Sequence, residues 1–318
     1  MNGIIITFSK FAFDVERILM KLKLILQTPT IVLLSLFGCG SKFTENHKKT
    51  GYDLNKTDAT YTLPNILHEV SGITNIDNMS VGFIQDENGV LFIHDALKNE
   101  PIKQLEFHIN GDYEGIARIE STIYVLRSDG NLFEIKNYDL PDYKLDSIIT
   151  GIPANKNEGL CYDRLNNRLL IAAKGKISKG PEFKDKRVIY GLDPKTKKLS
   201  NEPIFDFDLE SIKQFAINNK INLPRRGKKK SSTEETNIKF KISDICIHPI
   251  TGKLFLLSAS EYLLFIFDMN GTIEHIEVLD SGRFNKAEGI TFFDNGDMLI
   301  TNEGQDKKPT LLRFNYLR

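Results

Sequence analysis

Glutamate recurs along this chain in one setting, directly before a glycine and an apolar residue. The three copies are Glu114-Gly115, Glu158-Gly159 and Glu288-Gly289, and weaker copies begin at Ser71 and Ser243. Carboxylates bind hard cations and, beside a metal ion, activate water. If every copy occupies an equivalent place in a repeated fold, the carboxylates meet at one centre. That centre would suit a divalent cation.

The spacing of the copies indicates such a repeat. Gly72 and Gly115 are 43 residues apart, Gly115 and Gly159 are 44 apart, and Asp244 and Gly289 are 45 apart, whereas Gly159 and Asp244 are 85 apart. A fixed period in the forties is typical of one supersecondary unit copied around a ring. Each repeat contains short apolar runs separated by turn residues. Four antiparallel strands per repeat predict an all-β fold, a β-propeller.

We expect five blades, beginning near Ser71, Glu114, Glu158, Ser243 and Glu288. The fifth repeat has room for about three strands, so a strand within 61–67 is expected to complete the last blade and remove a free sheet edge. The long interval leaves a six-bladed alternative open. A helix-like stretch at 210–220 and a charged stretch at 224–237 favour an insertion at about 210–240 instead. Its basic run, 225–230, is either a solvated loop or a contact to anionic lipid.

In a propeller the first strand of each blade lines the central channel. It begins on the face where the second strand ends, and we call the channel opening on that face the mouth. The acidic side chains expected at this mouth are oxygen donors without a histidine or cysteine, which favours Ca²⁺ or Mg²⁺ over zinc. The predicted metal ligands are Glu114, Glu158, Asp244, Glu288 and Glu303. The predicted ligand-binding residues are Arg127, Lys174 and Ser260. The two cations either neutralise the acids or hold a small anionic ligand.

The charge balance and the cysteines narrow the function classes. The chain has 42 basic and 42 acidic side chains, which gives no sign of a nucleic-acid partner. Cys161 and Cys246 follow their motifs at the same distance, so we expect free buried thiols on different blades rather than a disulfide. We expect a monomer, with an envelope protein as a possible partner.

The N-terminus is interpreted as a targeting segment. Residues 20–23 form a short basic region, an apolar run follows, and 36–39 read Leu-Phe-Gly-Cys, which resembles a bacterial lipobox. We expect 1–39 to be an upstream extension plus a lipoprotein signal peptide, with Cys39 acylated, and 40–60 to be a flexible tether before a domain at 61–318. The protein would then be lipid-anchored to the membrane in the bacterial cell envelope. A plain secretory signal is the alternative.

The ordered motifs S-G-I, Y-E-G-I-A, N-E-G-L, S-D-I and A-E-G-I with a closing T-N-E resemble the SdiA-regulated (YjiK-like, calcium-regulated β-propeller) family over 61–318. The resemblance implies an envelope propeller with an acidic centre, matched here by Glu114, Glu158, Glu288 and Glu303. The basic insertion and the lipobox depart from the pattern. Two function classes remain: a non-catalytic, cation-responsive binding protein, or a metal-dependent hydrolase of a phosphoester or lactone.

Overall fold

The computed structural model describes residues 49–98, 100–154, 156–180, 183–223, 238 and 240–317. Thr50–Arg318 forms one compact unit. The predicted signal peptide, the acylated Cys39 and the basic run at 225–230 lie outside the described residues. No helix within the described ranges is long and apolar enough to span a membrane.

Short antiparallel strands dominate the described chain, as the repeated apolar runs predict. In chain order they are β1 (Ala59–Thr62), β2 (Val70–Asn75), β3 (Ser80–Gln85), β4 (Val90–Asp95), β5 (Glu100–Glu106), β6 (Tyr113–Ile119), β7 (Thr122–Arg127), β8 (Asn131–Lys136), β9 (Lys144–Ile149), β10 (Asn157–Asp163), β11 (Arg168–Ala173), β12 (Lys186–Asp193), β13 (Lys198–Leu199), β14 (Phe205–Asp208), β15 (Asp244–Ile247), β16 (Leu254–Ser258), β17 (Leu263–Phe267), β18 (Ile273–Val278), β19 (Ala287–Phe292), β20 (Met298–Asn302) and β21 (Thr310–Phe314). The helical elements are the 3-10 turns η1 (Asn65–Leu67) and η2 (Ala259–Glu261) and the helix α1 (Leu209–Asn218).

The strands form five sheets, and each sheet is one blade. Blades one to four have the orders β2-β3-β4-β5, β6-β7-β8-β9, β10-β11-β12-β13 with β14 also on β12, and β15-β16-β17-β18; blade five is β19-β20-β21-β1. The inner strands contact one another in sequence, and β19 contacts β2, which closes the ring. The five-bladed propeller is therefore confirmed, and the six-bladed alternative is wrong.

The N-terminal strand completes blade five, because β1 pairs with β21 with Tyr61 opposite Leu311. However, the packed chain starts earlier than the predicted boundary at residue 61. Tyr52 and Leu54 are buried, so 50–60 belongs to the propeller rather than to a tether. Local composition does not reveal this burial, because Tyr52 and Leu54 are isolated apolar residues in a polar stretch and pack against residues far along the chain.

Tyr52 lies on one face of the propeller, and the motifs lie on the opposite face, where the inner strands begin. Its ring packs against His248, which follows β15, and against Phe292 at the end of β19. Its hydroxyl donates to the carbonyl of Gly296, in the turn that joins β19 to β20. The described chain therefore enters the propeller at the face formed by the inner hairpin turns.

Blade three accounts for the long interval between repeats. Its outer strand is divided: β13 pairs with the end of β12, and β14 pairs with the start of β12. Helix α1 follows at once, begun by Asp208, whose carboxylate accepts the N–H of Ser211, as expected of an N-cap. Its apolar face buries Ile212 and Ala216 in a core shared with blade four. The predicted helix is thus found, within an insertion and not in a further blade.

Close contact between inner strands explains a motif glycine. A Cβ added to Gly115 would lie 2.8 Å from the carbonyl oxygen of Glu158 on the next blade. Only a residue without Cβ allows this approach of two backbones. Cys161 and Cys246 follow on the neighbouring inner strands and are free thiols, as the sequence predicts.

Candidate functional site

A β-bulge turns the motif side chains toward the mouth. In β2, β6, β10 and β19, the pairing with the second strand skips one residue just before the motif glycine. The skipped residues are Ser71, Glu114, Glu158 and Glu288. A bulge leaves its extra residue unpaired and re-aims the side chain. The same local irregularity therefore places three glutamates at equivalent points of the ring.

Blade four differs, because Asp244 stands where the other blades have the motif glycine. Its side chain is 2% exposed. One carboxylate oxygen accepts the N–H of Ile245 and the other accepts the N–H of Ile290, both at 2.8 Å. Burial raises the pKa of Asp244, and the backbone N–H groups oppose that rise. Both oxygens of this predicted metal ligand are therefore engaged by backbone N–H groups, and the bond from Ile290 links blade four to blade five.

Lys174 neutralises Glu158. Its ammonium nitrogen lies 2.7 Å from Oε1 of Glu158, whose side chain is 4% exposed. Burial lowers the pKa of Lys174, but the negative charges of Glu158, Glu288 and Glu114 outweigh it, and the pKa is raised. Burial raises the pKa of Glu158, and Lys174 opposes this. The pair fits one of the two roles predicted for the cations, neutralisation of the acids.

Lys286, which the sequence reasoning missed, makes the corresponding contact on blade five. Its ammonium nitrogen lies 2.5 Å from Oε2 of Glu303 and 3.4 Å from Oε1 of Glu288. Burial raises the pKa of the Glu303 carboxyl, while the hydrogen bond from Lys286 lowers it. Two of the predicted metal ligands thus share one lysine.

Glu114 is different, because it has no ion-pair partner within the described part of the chain. Burial, followed by the charges of Glu158 and Asp112, raises its pKa to about 9. On blade one, burial and the charges of Glu69 and Glu303 raise the pKa of Asp86 to about 7. These two acids therefore hold protons near neutral pH, the expected response of crowded carboxylates without a compensating cation.

Hydrogen bonds identify the residues that are truly equivalent at the exits of the second strands. The N–H groups of Asp86, Ser128, Lys174 and Glu303 donate to the carbonyls of Glu69, Asp112, Lys156 and Lys286, at 3.2, 2.8, 2.9 and 3.0 Å. Each acceptor lies two residues before its bulged residue. The position is the same on blades one, two, three and five.

Arg127 lies one residue before this position, opposite Tyr113 in the register of β6 and β7. Its guanidinium pairs with Asp129 at 2.8 Å and lies 5.5 Å from the ring centroid of Phe133. The structure therefore does not bring Arg127 together with the glutamates. Ser128 holds the rim position instead, and its hydroxyl donates to Asp112.

Ser260 lies in η2, at the exit of the second strand of blade four. Its hydroxyl oxygen and that of Ser258 are buried and have no hydrogen-bond partner among the described residues. The carboxylate of Glu261, 5% exposed, has one oxygen in the same condition. Blade four thus lines its part of the mouth with neutral hydroxyls.

The positions two residues before the start of each motif (Ser71, Glu114, Glu158, Ser243 and Glu288) carry a charge pattern that could have revealed Lys286. They are Glu69 and Asp112 on blades one and two, then Lys156, Lys241 and Lys286 on blades three, four and five. The uncompensated acids Asp86 and Glu114 lie on the acidic blades. The mouth therefore has two sides. Blades one and two form an acidic side, and blades three, four and five form a side on which lysines accompany the acids.

The donor chemistry of the acidic side suits a hard cation, since carboxylate oxygens are the ligands that Ca²⁺ takes. Within the described ranges, however, no three His, Cys, Asp or Glu side chains are close enough to hold one metal ion. Lys174 and Lys286 divide the predicted ligands into separate pairs. Binding of an ion would require the acids to close around it.

The fold and the site define an all-β, five-bladed propeller with a charged mouth. Among solved structures the chain is similar to a glutaminyl cyclase from Myxococcus xanthus, at a TM-score of 0.54 and 13% identity over 82% of this chain and 95% of that one. A streptogramin B lyase (TM-score 0.42, 14% identity, 80% and 68%) and a Bacteroides thetaiotaomicron protein of unknown function (0.46, 11%, 78% and 55%) are more remote.

The glutaminyl cyclase likeness supports the fold alone, and the other two are too remote to support an argument. No family model matches the chain, and no curated protein matches it in sequence. The class of protein is thus set by its fold and by the geometry of its mouth.

Proposed function

We propose that this protein is an envelope-anchored propeller of the SdiA-regulated, YjiK-like kind that binds a divalent cation, calcium first, and a small anionic ligand at its mouth. It acts as a binding protein rather than an enzyme. The support for the family is the ordered series of motifs. The support for the cation is one observation, the uncompensated acid Glu114, whose pKa is raised to about 9.

The division of the mouth accounts for both ligands. On the acidic side, a divalent cation would replace the protons held by Glu114 and Asp86, and it would remove the carboxylate repulsion that adds to burial in raising their pKa values. Asp112 and Glu69 would supply further oxygens. On the other side, Lys156 and Lys241 are exposed and Lys174 is partly exposed, so they can contact an anionic group beside the cation.

Thermal unfolding with and without the cation tests this proposal. A ligand that binds the folded state alone raises stability by mass action, about 2.7 kcal/mol at a hundredfold excess over Kd. We expect calcium to raise the melting temperature of the parent protein and to have little effect on Glu114→Gln. The matched control is Glu100→Gln, which removes an exposed carboxylate from the outer strand of blade one. Equal melting curves in calcium and in chelator would refute the cation site.

A second candidate function is metal-assisted hydrolysis of a phosphoester or lactone. One observation favours it: the pKa of Glu114 is raised to about 9, whereas Lys174, 2.7 Å from Glu158, opposes the rise that burial causes in the pKa of Glu158. Neighbouring carboxyls with separated protonation states are typical of an acid and base pair. A screen of both substrate classes with Ca²⁺ or Mg²⁺, and of a glutaminyl cyclase substrate, tests it. Chelator-sensitive turnover lost in Glu114→Gln would favour the enzyme, and no turnover would leave the binding function.

A further inference from the structure

Blade five contains a cavity beside the central mouth, with which it shares Glu303. It has a volume of about 250 Å³ and lies between β1, β20, β21 and the loop at 279–286. Its polar lining includes Arg283, Lys307, Lys308, Asn302, Thr57 and Thr310. We propose that this cavity, the blade-five pocket, binds a small oxyanion of the phosphate class.

The first argument for an anionic occupant is the positive charge of the pocket. Lys307 and Lys308 are exposed, and neither forms an ion pair with a described residue. Arg283 donates one guanidinium N–H to the carbonyl of Leu54 at 2.9 Å, which fixes the side chain and leaves its positive charge uncompensated. Three cations converging on one small cavity without a carboxylate partner favour an anionic occupant, and a guanidinium suits the oxygens of phosphate.

The one carboxylate in the pocket lining, that of Glu303, is compatible with an anionic occupant. Glu303 also lines the cavity, but its carboxylate is paired with Lys286 on the mouth side. Lys286, which is shared with Glu288, offsets part of this negative charge, and the three cations of the pocket outnumber its single acid. The pocket therefore remains basic, although it lies next to an acidic mouth.

A buried amide points to the same conclusion. Asn302 is 2% exposed, and both of its amide protons are used, donated to the carbonyl of Arg283 and the hydroxyl of Thr310 at 3.0 Å. Its Oδ1 has no hydrogen-bond donor in the described chain, a deficit of a kind that folded proteins rarely leave. The hydroxyl of Thr310 remains free to donate. An oxyanion in the pocket would accept a hydrogen bond from the Thr310 hydroxyl, and one that also carries an O–H, such as monohydrogen phosphate or a sugar phosphate, would donate to the buried Oδ1 of Asn302 once the amide shifts to expose it.

Calorimetric titration at constant ionic strength tests the pocket, with inorganic phosphate and glucose 6-phosphate as separate probes. We expect saturable binding of one equivalent and a loss of about tenfold in affinity when Lys307 and Lys308 are both changed to Gln. The matched control changes Lys195 and Lys198 to Gln, two exposed lysines on blade three, and should bind within about twofold of the parent. Tighter binding of glucose 6-phosphate would assign the pocket to phosphorylated sugars, and equal binding to free phosphate.

Lys174→Gln separates this site from the central mouth. The blade-five pocket should keep its affinity for phosphate in that variant, whether or not the mouth binds calcium. Loss of phosphate binding in Lys174→Gln but not in the Lys307 and Lys308 double variant would place the anion at the mouth and overturn the inference. Absence of saturable binding of either probe would also overturn it.

Discussion

The ammonium group of Lys174 lies 2.7 Å from a carboxylate oxygen of Glu158, and this pair connects the exit of one strand to the bulge of its neighbour within blade three. The bulge turns Glu158 inward, and the pairing register places Lys174 above it. Charge at the mouth is thus set by backbone geometry as much as by composition.

Removing the lysine should destabilise the fold. In Lys174→Gln the buried Glu158 loses its counter-ion, and its pKa should rise further. We expect a loss of about 1–3 kcal/mol in the free energy of unfolding, below the range for fully buried pairs because Lys174 is partly exposed. Urea unfolding measures it. Lys186→Gln, which breaks the exposed pair with Asp206, serves as the control, and an equal loss there would contradict the argument.

Glu114 should make stability depend on pH in a defined direction. Its folded pKa, about 9, lies above the ordinary value of 4.5 for a glutamate, so between these pH values the folded state holds the proton more tightly than the unfolded state. The contribution of Glu114 to stability therefore falls as pH rises through this window. Glu114→Gln removes this dependence. The free energy of unfolding of the variant should therefore increase relative to that of the parent as the pH rises from about 5 to about 9. Parallel unfolding curves across that range would show that the pKa is not raised.

Calcium binding, if it occurs at the acidic side, should release protons. Asp86 and Glu114, with pKa values of about 7 and about 9, must both ionise to bind the ion. Apparent affinity should therefore rise with pH between about 6 and 9. Titration in two buffers of different ionisation enthalpy measures the proton release. Affinity independent of pH would exclude these two acids as ligands.

Asp244 should matter for folding rather than for ligand affinity. In Asp244→Ala the N–H groups of Ile245 and Ile290 lose their acceptors inside the ring. Each unsatisfied buried donor costs about 1–3 kcal/mol, so the melting temperature should fall clearly. Asp206→Ala, on the exposed side of blade three, is the control. A destabilised variant that still binds calcium with parental affinity would confirm the division of roles, and selective loss of binding would show that Asp244 is a ligand.

The lipid anchor remains a prediction from the sequence. We expect Cys39→Ala to lose incorporation of a radiolabelled fatty acid and to leave the membrane fraction. Cys39→Ser is the conservative control, since it keeps size and polarity but lacks the thiol that is acylated. Unchanged processing and membrane association in both variants would show that Cys39 is not the anchor.

The sequence was sufficient to predict the ring and its five repeats, because each motif glycine is required where two inner strands meet. It was not sufficient to align the strand exits. A bulge shifts one strand by one residue against its partner, which is why Arg127 was assigned to the mouth although Ser128 occupies the equivalent place. Lys286 was overlooked because it precedes its motif, where a single charge carries no signal until all five copies are compared.

The early segment was misjudged for a related reason. Tyr52 has no apolar neighbour of its own in sequence, and its burial depends on His248 and Phe292, about 200 residues or more away. Contacts of that separation follow from ring closure and cannot be read from local composition.

The entry of the chain beside Tyr52, at the face of the inner hairpin turns, has a geometric consequence. The mouth with Glu114 and Lys174 opens on the opposite face. A surface or partner that contacts the Tyr52 face would therefore leave the mouth uncovered, and the acids and lysines there would stay accessible to dissolved ions and small molecules.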